Sequence, residues 1–242
     1  MKRLLSTAVL LGVVVVSSLG CAAGKVTAPL EAADYNPLID PAQFVSVIDN
    51  PFLPLVPGTT FTYEAETDEG RERTVTAVTD DTKTVMGVTC VVVWDRDFLN
   101  DELVEATYDW YAQDISGDVW YMGEDSKVYL HGMVVSTAGS WEAGVDGAKP
   151  GIIMKAHPVV DESYRQEFLV GVAEDMAKVQ SLSASATVPY GSFSGCLQTL
   201  EWSRLDPGSL EQKIYAPGVG LVMETAPDEY GTGSKLISIT TD

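Results

Sequence analysis

Apolar and polar residues alternate most clearly in residues 107–136 of this 242-residue chain. In the first part of this stretch Tyr108, Trp110 and Ala112 share one face, and polar residues such as Asp109 and Gln113 share the other. A period of two is the period of a β-strand. Turn residues at 116–118 and 123–126 separate three such strands. We therefore predict an antiparallel meander with a buried apolar face and a polar face in contact with water.

Further short strands are predicted from about residue 61 to residue 240, and a helical period is almost absent. Turn signals that recur roughly every 8–12 residues are typical of sandwiches and barrels. The predicted fold is therefore all-β. We expect a single antiparallel domain that forms a curved half-barrel or barrel-like sandwich, with at most one or two short helices.

The first residues have the pattern of a secretory signal peptide, with Lys2 and Arg3 before an apolar run over residues 4–16. Small residues then lead to Cys21, in an arrangement that resembles the lipobox of bacterial lipoproteins. The resemblance implies that Cys21 is lipidated; ordinary secretion with cleavage nearby is the alternative. The predicted organisation is a signal peptide at 1–20, a lipidated N-terminus and flexible tether at 21–41, and one β domain at 42–242.

This organisation implies export across the inner membrane and a lipid anchor in the cell envelope. Several acyl chains on Cys21 would make the anchor stable, because a single chain binds a membrane only reversibly. The formal net charge of −20 disfavours nucleic acid and anionic headgroups as partners. The expected membrane contact is therefore the anchor and not the protein surface.

Six stretches resemble an uncharacterised family of secreted or lipid-anchored bacterial β-rich proteins. They are NPFLPLVPGTTFTYE, DWYAQDISGDVWYMGED, GSWEAGVDGAKPGI, SYRQEF, GVAEDMA and YAPGVGLV. The resemblance extends over nearly the whole chain after the signal peptide, and it implies no activity. YAPGVGLV is also similar to envelope lipoproteins with half-barrel folds, some of which carry lipids.

Tryptophans on the predicted strands and the central loop suggest a ligand cavity. Trp110, Trp120 and Trp141 are the predicted ligand-binding residues. Aromatic side chains of this kind also fill the cores of β proteins, which is the alternative interpretation. The leading hypothesis is a non-enzymatic envelope lipoprotein that binds a lipid or another apolar or amphipathic ligand, or that serves structurally.

A hydrolase acting on envelope polymers is the alternative function. The glycine-rich loop between Gly139 and Gly151 is long, and long loops in compact domains are often functional. Glycoside hydrolysis requires a pair of facing carboxylates. The carboxylates to test are those in and after this loop: Glu142, Asp146, Glu167, Glu174 and Asp175.

Other chemistry has little support from the sequence. His131 and His157 are the only histidines, and no zinc-binding spacing is present. Asp114, Ser116 and Asp118 offer oxygen atoms to a cation, but the same residues are common in turns. No cofactor and no metal site are predicted.

Besides Cys21, the chain has two cysteines, Cys90 and Cys196. Both alternate with apolar residues, so both are expected to face the protein interior. An exported chain encounters an oxidising compartment, and a Cys90–Cys196 disulfide is predicted. Two separate buried thiols that behave as small apolar side chains are the alternative.

Overall fold

The structure is a computed structural model that describes residues 35–227 and 233–241. The predicted signal peptide, Cys21 and most of the predicted tether lie outside the described residues. The described part has one short 3-10 helix, Pro41–Gln43, and is otherwise built from strands and turns. The strands are β1 (Phe44–Val45), β2 (Ile48–Asn50), β3 (Leu53–Leu55), β4 (Thr59–Thr67), β5 (Gly70–Val85), β6 (Val88–Leu99), β7 (Glu102–Asp114), β8 (Val119–Leu130), β9 (Met133–Ser136), β10 (Trp141–Glu142), β11 (Lys149–Met154), β12 (Ser163–Arg165), β13 (Glu167–Phe168), β14 (Asp175–Val188), β15 (Gly191–Ser203), β16 (Leu210–Ala216), β17 (Gly220–Thr225) and β18 (Ser234–Thr241).

Apart from the separate β2–β3 hairpin, these strands form one large antiparallel sheet that curves into a nearly closed barrel. Its order is β12-β14-β15-β16-β17-β18-β4-β5-β6-β7-β8-β11-β13. Most neighbours in the sheet are also neighbours in sequence, as expected for a meander. The pairing that spans the greatest separation in sequence is that of β18 with β4, which joins the two ends of the described chain. The all-β, barrel-like prediction is confirmed.

The two ends of the sheet meet at a single kinked segment. β12 pairs with β14, β13 pairs with β11, and Gln166 alone separates β12 from β13. Gly151 of β11 packs against this kink so closely that a Cβ atom there would collide with the backbone of Gln166. A glycine is therefore required where the sheet edges come together.

The hairpin of β2 and β3 packs against the apolar part of the barrel interior. Ile48 and Leu55 are both buried in the largest apolar cluster. Gln113 of β7 fixes the hairpin, since its Oε1 accepts from the backbone N–H groups of Asp49 and Asn50, each at 2.9 Å. Asn50 in turn donates to the Gly117 carbonyl at 2.9 Å. This hairpin is called the plug below.

The inner face of each long strand changes from apolar to polar with distance from the plug. On β6, Val93 is followed on the same face by Asp95 and Asp97; on β7, Asp109 lies opposite Val93 and Glu105 lies opposite Asp97. The strands are antiparallel and in register, so the polar ends gather at the end of the barrel away from the plug. The interior therefore has an apolar half and an acidic half.

A second core lies largely on the outer face of β6 to β8. It contains Cys90, Val92, Trp110 and Ala112, and the segment that leads from β9 to β11 contributes Trp141 to it. The buried apolar face predicted for β7 is therefore confirmed, but the prediction that its polar face contacts water is wrong. Its apolar face points away from the barrel axis and is covered by a loop, and its polar face points into the barrel.

The predicted disulfide is also wrong. Cys90 and Cys196 are both free and fully buried. Cys90 belongs to the outer core, whereas Cys196 belongs to the core inside the barrel. Their strands, β6 and β15, are not neighbours in the sheet, so the barrel wall separates two thiols that both face apolar surroundings.

Within residues 35–227 and 233–241, no helix has the length and apolar character needed to cross a membrane.

Candidate functional site: the acidic half of the barrel

Ten carboxylates from eight strands face the acidic half. They are Asp95 and Asp97 (β6), Glu105 and Asp109 (β7), Glu124 (β8), Glu167 (β13), Asp175 (β14), Glu201 (β15), Glu211 (β16) and Glu224 (β17). Glu105, Asp109, Glu167 and Glu201 are buried, and the other six keep some solvent-accessible surface. Water and small solutes therefore reach part of this interior.

Neutral donors hold the carboxylates on the β5 to β7 side. Thr74 donates to Asp97 at 2.5 Å and Thr76 donates to Asp95 at 2.9 Å. Glu105 accepts from Ser126 at 3.0 Å. These hydroxyl groups sit at matching positions on neighbouring strands, because inward residues recur every second position. They orient the carboxylates without neutralising them.

The opposite wall contains one ammonium group among three carboxylates. Lys213 Nζ lies 3.0 Å from Glu201, 3.4 Å from Glu211 and 3.7 Å from Glu224. Thr199 also donates to Glu201 at 2.8 Å. Lys213 is on β16, between Thr199 of β15 and Glu224 of β17. The register of three strands thus builds an ammonium-binding cluster.

Carboxylates on the other wall have no such partner. Among the described residues, no lysine or arginine nitrogen lies within ion-pair distance of Asp95, Asp97, Glu105, Asp109 or Glu124. Unpaired carboxylates in a protein interior are unfavourable, because the charged form loses its hydration.

The pKa values follow from this burial. Burial raises the pKa of Glu124 to about 8, and burial with the nearby charge of Glu224 raises the pKa of Glu211 to about 8. Burial, then the charge of Asp95, holds the pKa of Asp97 well above its ordinary value. Burial lowers the pKa of Lys213, but its three carboxylate neighbours outweigh burial and hold that pKa well above the ordinary value.

One buried hydroxyl in the acidic half has no hydrogen-bond partner. Tyr164 of β12 is only 7 % exposed, and its Oη has no partner in the described structure. It pairs across the sheet with Ala177, on the inner face of β14. The charges of Glu201 and Lys213 both act on its hydroxyl. A buried hydroxyl that lacks a partner costs stability, and Ala177 separates Tyr164 from Glu201 of the Lys213 cluster in the row of paired residues across β12, β14 and β15.

The predicted ligand-binding tryptophans lie in different places. Trp141 is buried beside the acidic half and donates its indole N–H to Glu167 at 3.0 Å. Trp110 packs in the outer core, with the Lys83 ammonium 3.7 Å from its ring centroid. Trp120 packs against Phe44 and donates to Asp114 at 2.9 Å. Trp110 and Trp141 are close to each other, and Trp120 belongs to the other end of the barrel.

A cleft of about 370 Å³ opens next to the acidic half. Its lining includes Lys83, Trp110, Glu124, Trp141, Glu142 and Asp146. Glu124 also forms part of the acidic half, so the two spaces share a wall. Gly123 permits this arrangement, since a Cβ there would collide with the Trp141 backbone and would lie 2.9 Å from Glu142 Cα.

The five carboxylates named for a hydrolase divide between these spaces. Glu142 and Asp146 line the cleft, where Glu142 pairs with Lys83 at 2.8 Å. Glu167 and Asp175 belong to the acidic half. Glu174 accepts from the Gly171 N–H at 2.9 Å and lies 3.7 Å from Arg204.

The oxygen-rich turn and the histidines show no ligand site. Asp114 accepts from the backbone N–H groups of Ser116 and Asp118 at 2.8 and 3.1 Å. Asp118 accepts from the Ala156 N–H at 2.6 Å, so the turn uses its own carboxylates. His131 lies in an exposed turn. In the described parts of the chain, no group of three or more His, Cys, Asp or Glu side chains could hold a metal ion.

Lys213 and most of the acidic half were not among the site residues predicted from the sequence. One signal was present: the polar faces of β5 to β7 carry threonines and tyrosines among the carboxylates, and these side chains can hydrogen-bond a buried carboxylate. A solvent-exposed strand face needs no such partners.

Comparisons with known proteins name no family for this chain. No protein-family model matches it, and no curated protein matches it either. Among solved structures, a protein from Parabacteroides distasonis ATCC 8503, provisionally named as a lipoprotein, aligns with 79 % of this chain and 99 % of its own. The aligned sequences are 12 % identical and the TM-score is 0.35, a level that carries no argument about this chain.

Proposed function

We propose that this chain is a binding protein of the bacterial cell envelope, anchored through Cys21, that holds an amine-bearing cationic ligand in the acidic half of its barrel. The lipobox-like sequence before Cys21 supports the anchor and the location. The arrangement of carboxylates around Lys213 supports the ligand class.

The proposal rests on the Lys213 cluster, because in this cluster the barrel already binds one ammonium group, that of its own lysine. Three carboxylate oxygens surround Nζ within 3.0–3.7 Å. Asp95, Asp97, Glu105, Asp109 and Glu124 line the facing wall in similar density without an ammonium. A ligand with ammonium groups would supply the missing positive charge, and charge-assisted hydrogen bonds are stronger than neutral ones.

The Tyr164 hydroxyl is a second, independent indication of a ligand. It is buried, it lacks a partner, and Glu201 of the Lys213 cluster lies in the same row of paired residues across the sheet. A polar group on the ligand would satisfy it. Buried polar groups without partners are uncommon in folded proteins, and each calls for a physical explanation.

The shape of the site favours an elongated organic amine over a metal ion. The carboxylates are distributed along and around the barrel wall, and those described include no cluster suited to a metal. Ammonium groups separated by short alkyl chains match such a distribution. Tyr111, Tyr121 and Trp141 offer aromatic surface near the carboxylates, and cations bind favourably to aromatic faces.

A purely apolar ligand receives less support. Buried side chains such as Ile48, Phe61 and Leu236 fill the apolar half. Lipid carriage would require space that these side chains occupy. An amphipathic ligand with a cationic head remains compatible with the acidic half. The non-enzymatic hypothesis also included a structural role that requires no ligand.

Spermidine, a linear triamine, is a suitable probe, and isothermal titration calorimetry with the purified full chain measures its binding. We expect a binding isotherm that fits one class of site. Asp95→Asn/Asp97→Asn should weaken binding at least about tenfold, since one hydrogen bond to a charged group contributes about 1.5–3 kcal/mol. Asp161→Asn is the control, because Asp161 pairs with Lys178 on the exterior with 81 % of its side chain exposed. Absence of binding, or an equal loss in the control, would contradict the proposed ligand class.

Labelling with a radioactive fatty acid in the host tests the anchor separately. The wild-type chain should incorporate the label and Cys21→Ser should not. Incorporation in both would place the lipid elsewhere, and incorporation in neither would leave ordinary secretion.

The hydrolase hypothesis retains one favourable observation. Glu124, whose pKa is raised to about 8 by burial, lines the same cleft as Glu142 and Asp146. A carboxyl group that is protonated near neutral pH is suited to act as a general acid. Release of product from panels of glycans and esters, lost in Glu142→Gln and Asp146→Asn while the fold is retained, would favour this second function.

A further inference from the structure

The phenol of Tyr121 lies between two carboxylates of the acidic half. Its Oη is 2.5 Å from Asp109 Oδ1 and 2.9 Å from Glu124 Oε2. Both distances are within the range of hydrogen bonds between oxygen atoms. Tyr121 and Asp109 are buried, and Glu124 keeps a part of its surface accessible.

If Asp109 and Glu124 were both ionised, the phenol of Tyr121 would hold the only proton among the three groups. Two hydrogen bonds need two protons. A phenol has a single O–H and donates one hydrogen bond, whereas an ionised carboxylate only accepts. Two hydrogen bonds to Tyr121 therefore require that one carboxyl group is protonated and donates to Oη. If both carboxyl groups were ionised, one short oxygen–oxygen contact would hold no proton.

The surroundings favour retention of this proton. The groups that act on Asp109, Tyr121 and Glu124 from neighbouring elements are Asp95 on β6, Glu105 and Tyr111 on β7, Glu167 on β13 and Asp175 on β14. None of these groups is a cation. The positive charge of Lys213 acts on Tyr111. Lys83 lines the same cleft as Glu124, but its ammonium pairs with Glu142 at 2.8 Å.

The pKa values agree with this geometry. Burial, followed by the charge of Glu124, holds the pKa of Asp109 well above its ordinary value. Burial raises the pKa of Glu124 to about 8.

We propose that Asp109 and Glu124 share one proton in the unoccupied barrel and release it when an ammonium group binds beside them. This inference rests on the proposed function, because it specifies how the same site responds to its ligand. In the balanced step a carboxylic acid and an alkylammonium give a carboxylate–alkylammonium ion pair and a proton that leaves to solvent. Nothing is oxidised or reduced. Ligand affinity then rises with pH, and acidification releases the ligand.

Calorimetry in buffers of different ionisation enthalpy measures the protons that leave during binding. With spermidine at pH 7, we expect release of about one proton per ligand bound. Affinity should increase up to about tenfold per pH unit between pH 6 and 7.5, the limit for a step that releases one proton. Glu124→Gln cannot give up a proton at this position, so it should bind spermidine with little proton release and a flatter pH profile. Asp161→Asn should behave like the wild type.

Infrared spectroscopy tests the stored proton without any ligand. A protonated carboxyl group has a carbonyl stretch separate from that of a carboxylate. This band should be present in the wild type at pH 7 and reduced in both Asp109→Asn and Glu124→Gln, while Asp161→Asn leaves it unchanged. Asp109→Asn serves as the second variant in case Glu124→Gln folds poorly.

The outcomes separate the two proposals. Spermidine binding without proton release, or an absent carboxyl band, overturns the shared proton and leaves the proposed function intact. A carboxyl band without spermidine binding supports the stored proton and overturns the proposed ligand class. A band that persists unchanged in both variants places the proton on other residues and overturns this assignment.

Discussion

The two halves of the barrel interior are built by the same strands and have opposite physical chemistry. In the apolar half Val78, Val93 and Leu197 are buried against the plug. A few residues further along the same faces, the described carboxylates outnumber Lys213, the one ammonium group seen to pair among them. Burial of apolar surface stabilises a fold, whereas burial of unpaired charge opposes folding. The comparison indicates that stability comes mainly from one half and binding chemistry from the other.

Removing the ammonium group of Lys213 should have the largest effect on stability. Lys213→Met leaves Glu201, Glu211 and Glu224 without a cation, and removal of one partner from a buried ion pair costs about 3–5 kcal/mol. Urea unfolding near pH 8 measures this cost, which should shrink at pH 5.5 as carboxyl groups take up protons. Lys178→Met is the matched control, because its exposed ion pair with Asp161 contributes below about 1 kcal/mol. Equal costs for the two variants would show that the cluster is not an electrostatic unit.

A cavity in the apolar half should have the next largest effect. Leu236 is completely buried, and Leu→Ala at such positions costs about 3 kcal/mol. Leu130→Ala is the control, since that side chain is 55 % exposed. Unlike the cost of Lys213→Met, the cost of Leu236→Ala should not depend on pH between 5.5 and 8. A strong pH dependence would contradict the division between the halves.

The acidic half should give the protein an unusual dependence of stability on pH. The folded-state pKa values of Glu124 and Glu211 are raised to about 8, and those of Asp95, Asp97, Glu105, Asp109 and Glu167 are raised as well, in each case first by burial.

The folded state therefore binds more protons than the unfolded state between about pH 4.5 and 8, and the free energy of unfolding must fall as pH rises through this window. The raised pKa of Lys213 has no effect on this slope, because lysine is fully protonated there in both states. We expect urea midpoints to decrease from pH 5.5 to pH 8.5, by the equivalent of about 1.4 kcal/mol per pH unit for each extra proton. A midpoint that increases over this range would show that the carboxylates are ionised in the folded state.

The smallest effect on stability is expected for Trp141, whose indole connects the loop to the acidic half. Trp141→Phe keeps an aromatic ring against Tyr121 and removes the N–H donor to Glu167. The loss of one hydrogen bond should cost about 1 kcal/mol, measured by urea unfolding at pH 7. Trp120→Phe is the comparison at the other end of the barrel, where the lost donor faces the partly exposed Asp114. A negligible cost for Trp141→Phe would mean that Glu167 finds another donor.

Sequence patterns were sufficient to predict the strands but not which strand face points inward. The period of two around Trp110 correctly predicted β7, because alternation is a local property. It assigned the polar face to water, since one covered face is the usual arrangement for an antiparallel sheet. Here both faces are covered, and the loop that carries Trp141 covers the outer one. The Lys213 cluster could not be predicted, because it depends on the register of β15, β16 and β17.

The pairing of β4 with β18 has a consequence for the way this chain folds. Thr59 and Thr241 are partners across the sheet although they lie about 180 residues apart in sequence. Closing so long a loop is entropically unfavourable and is compensated only when the strands pair, so folding slows as contacts become less local. The ring cannot close until β18 joins it, and before then β4 is an unpaired edge that can associate with other chains. Folding should therefore be a slow step that begins with the local hairpins and ends at this one seam.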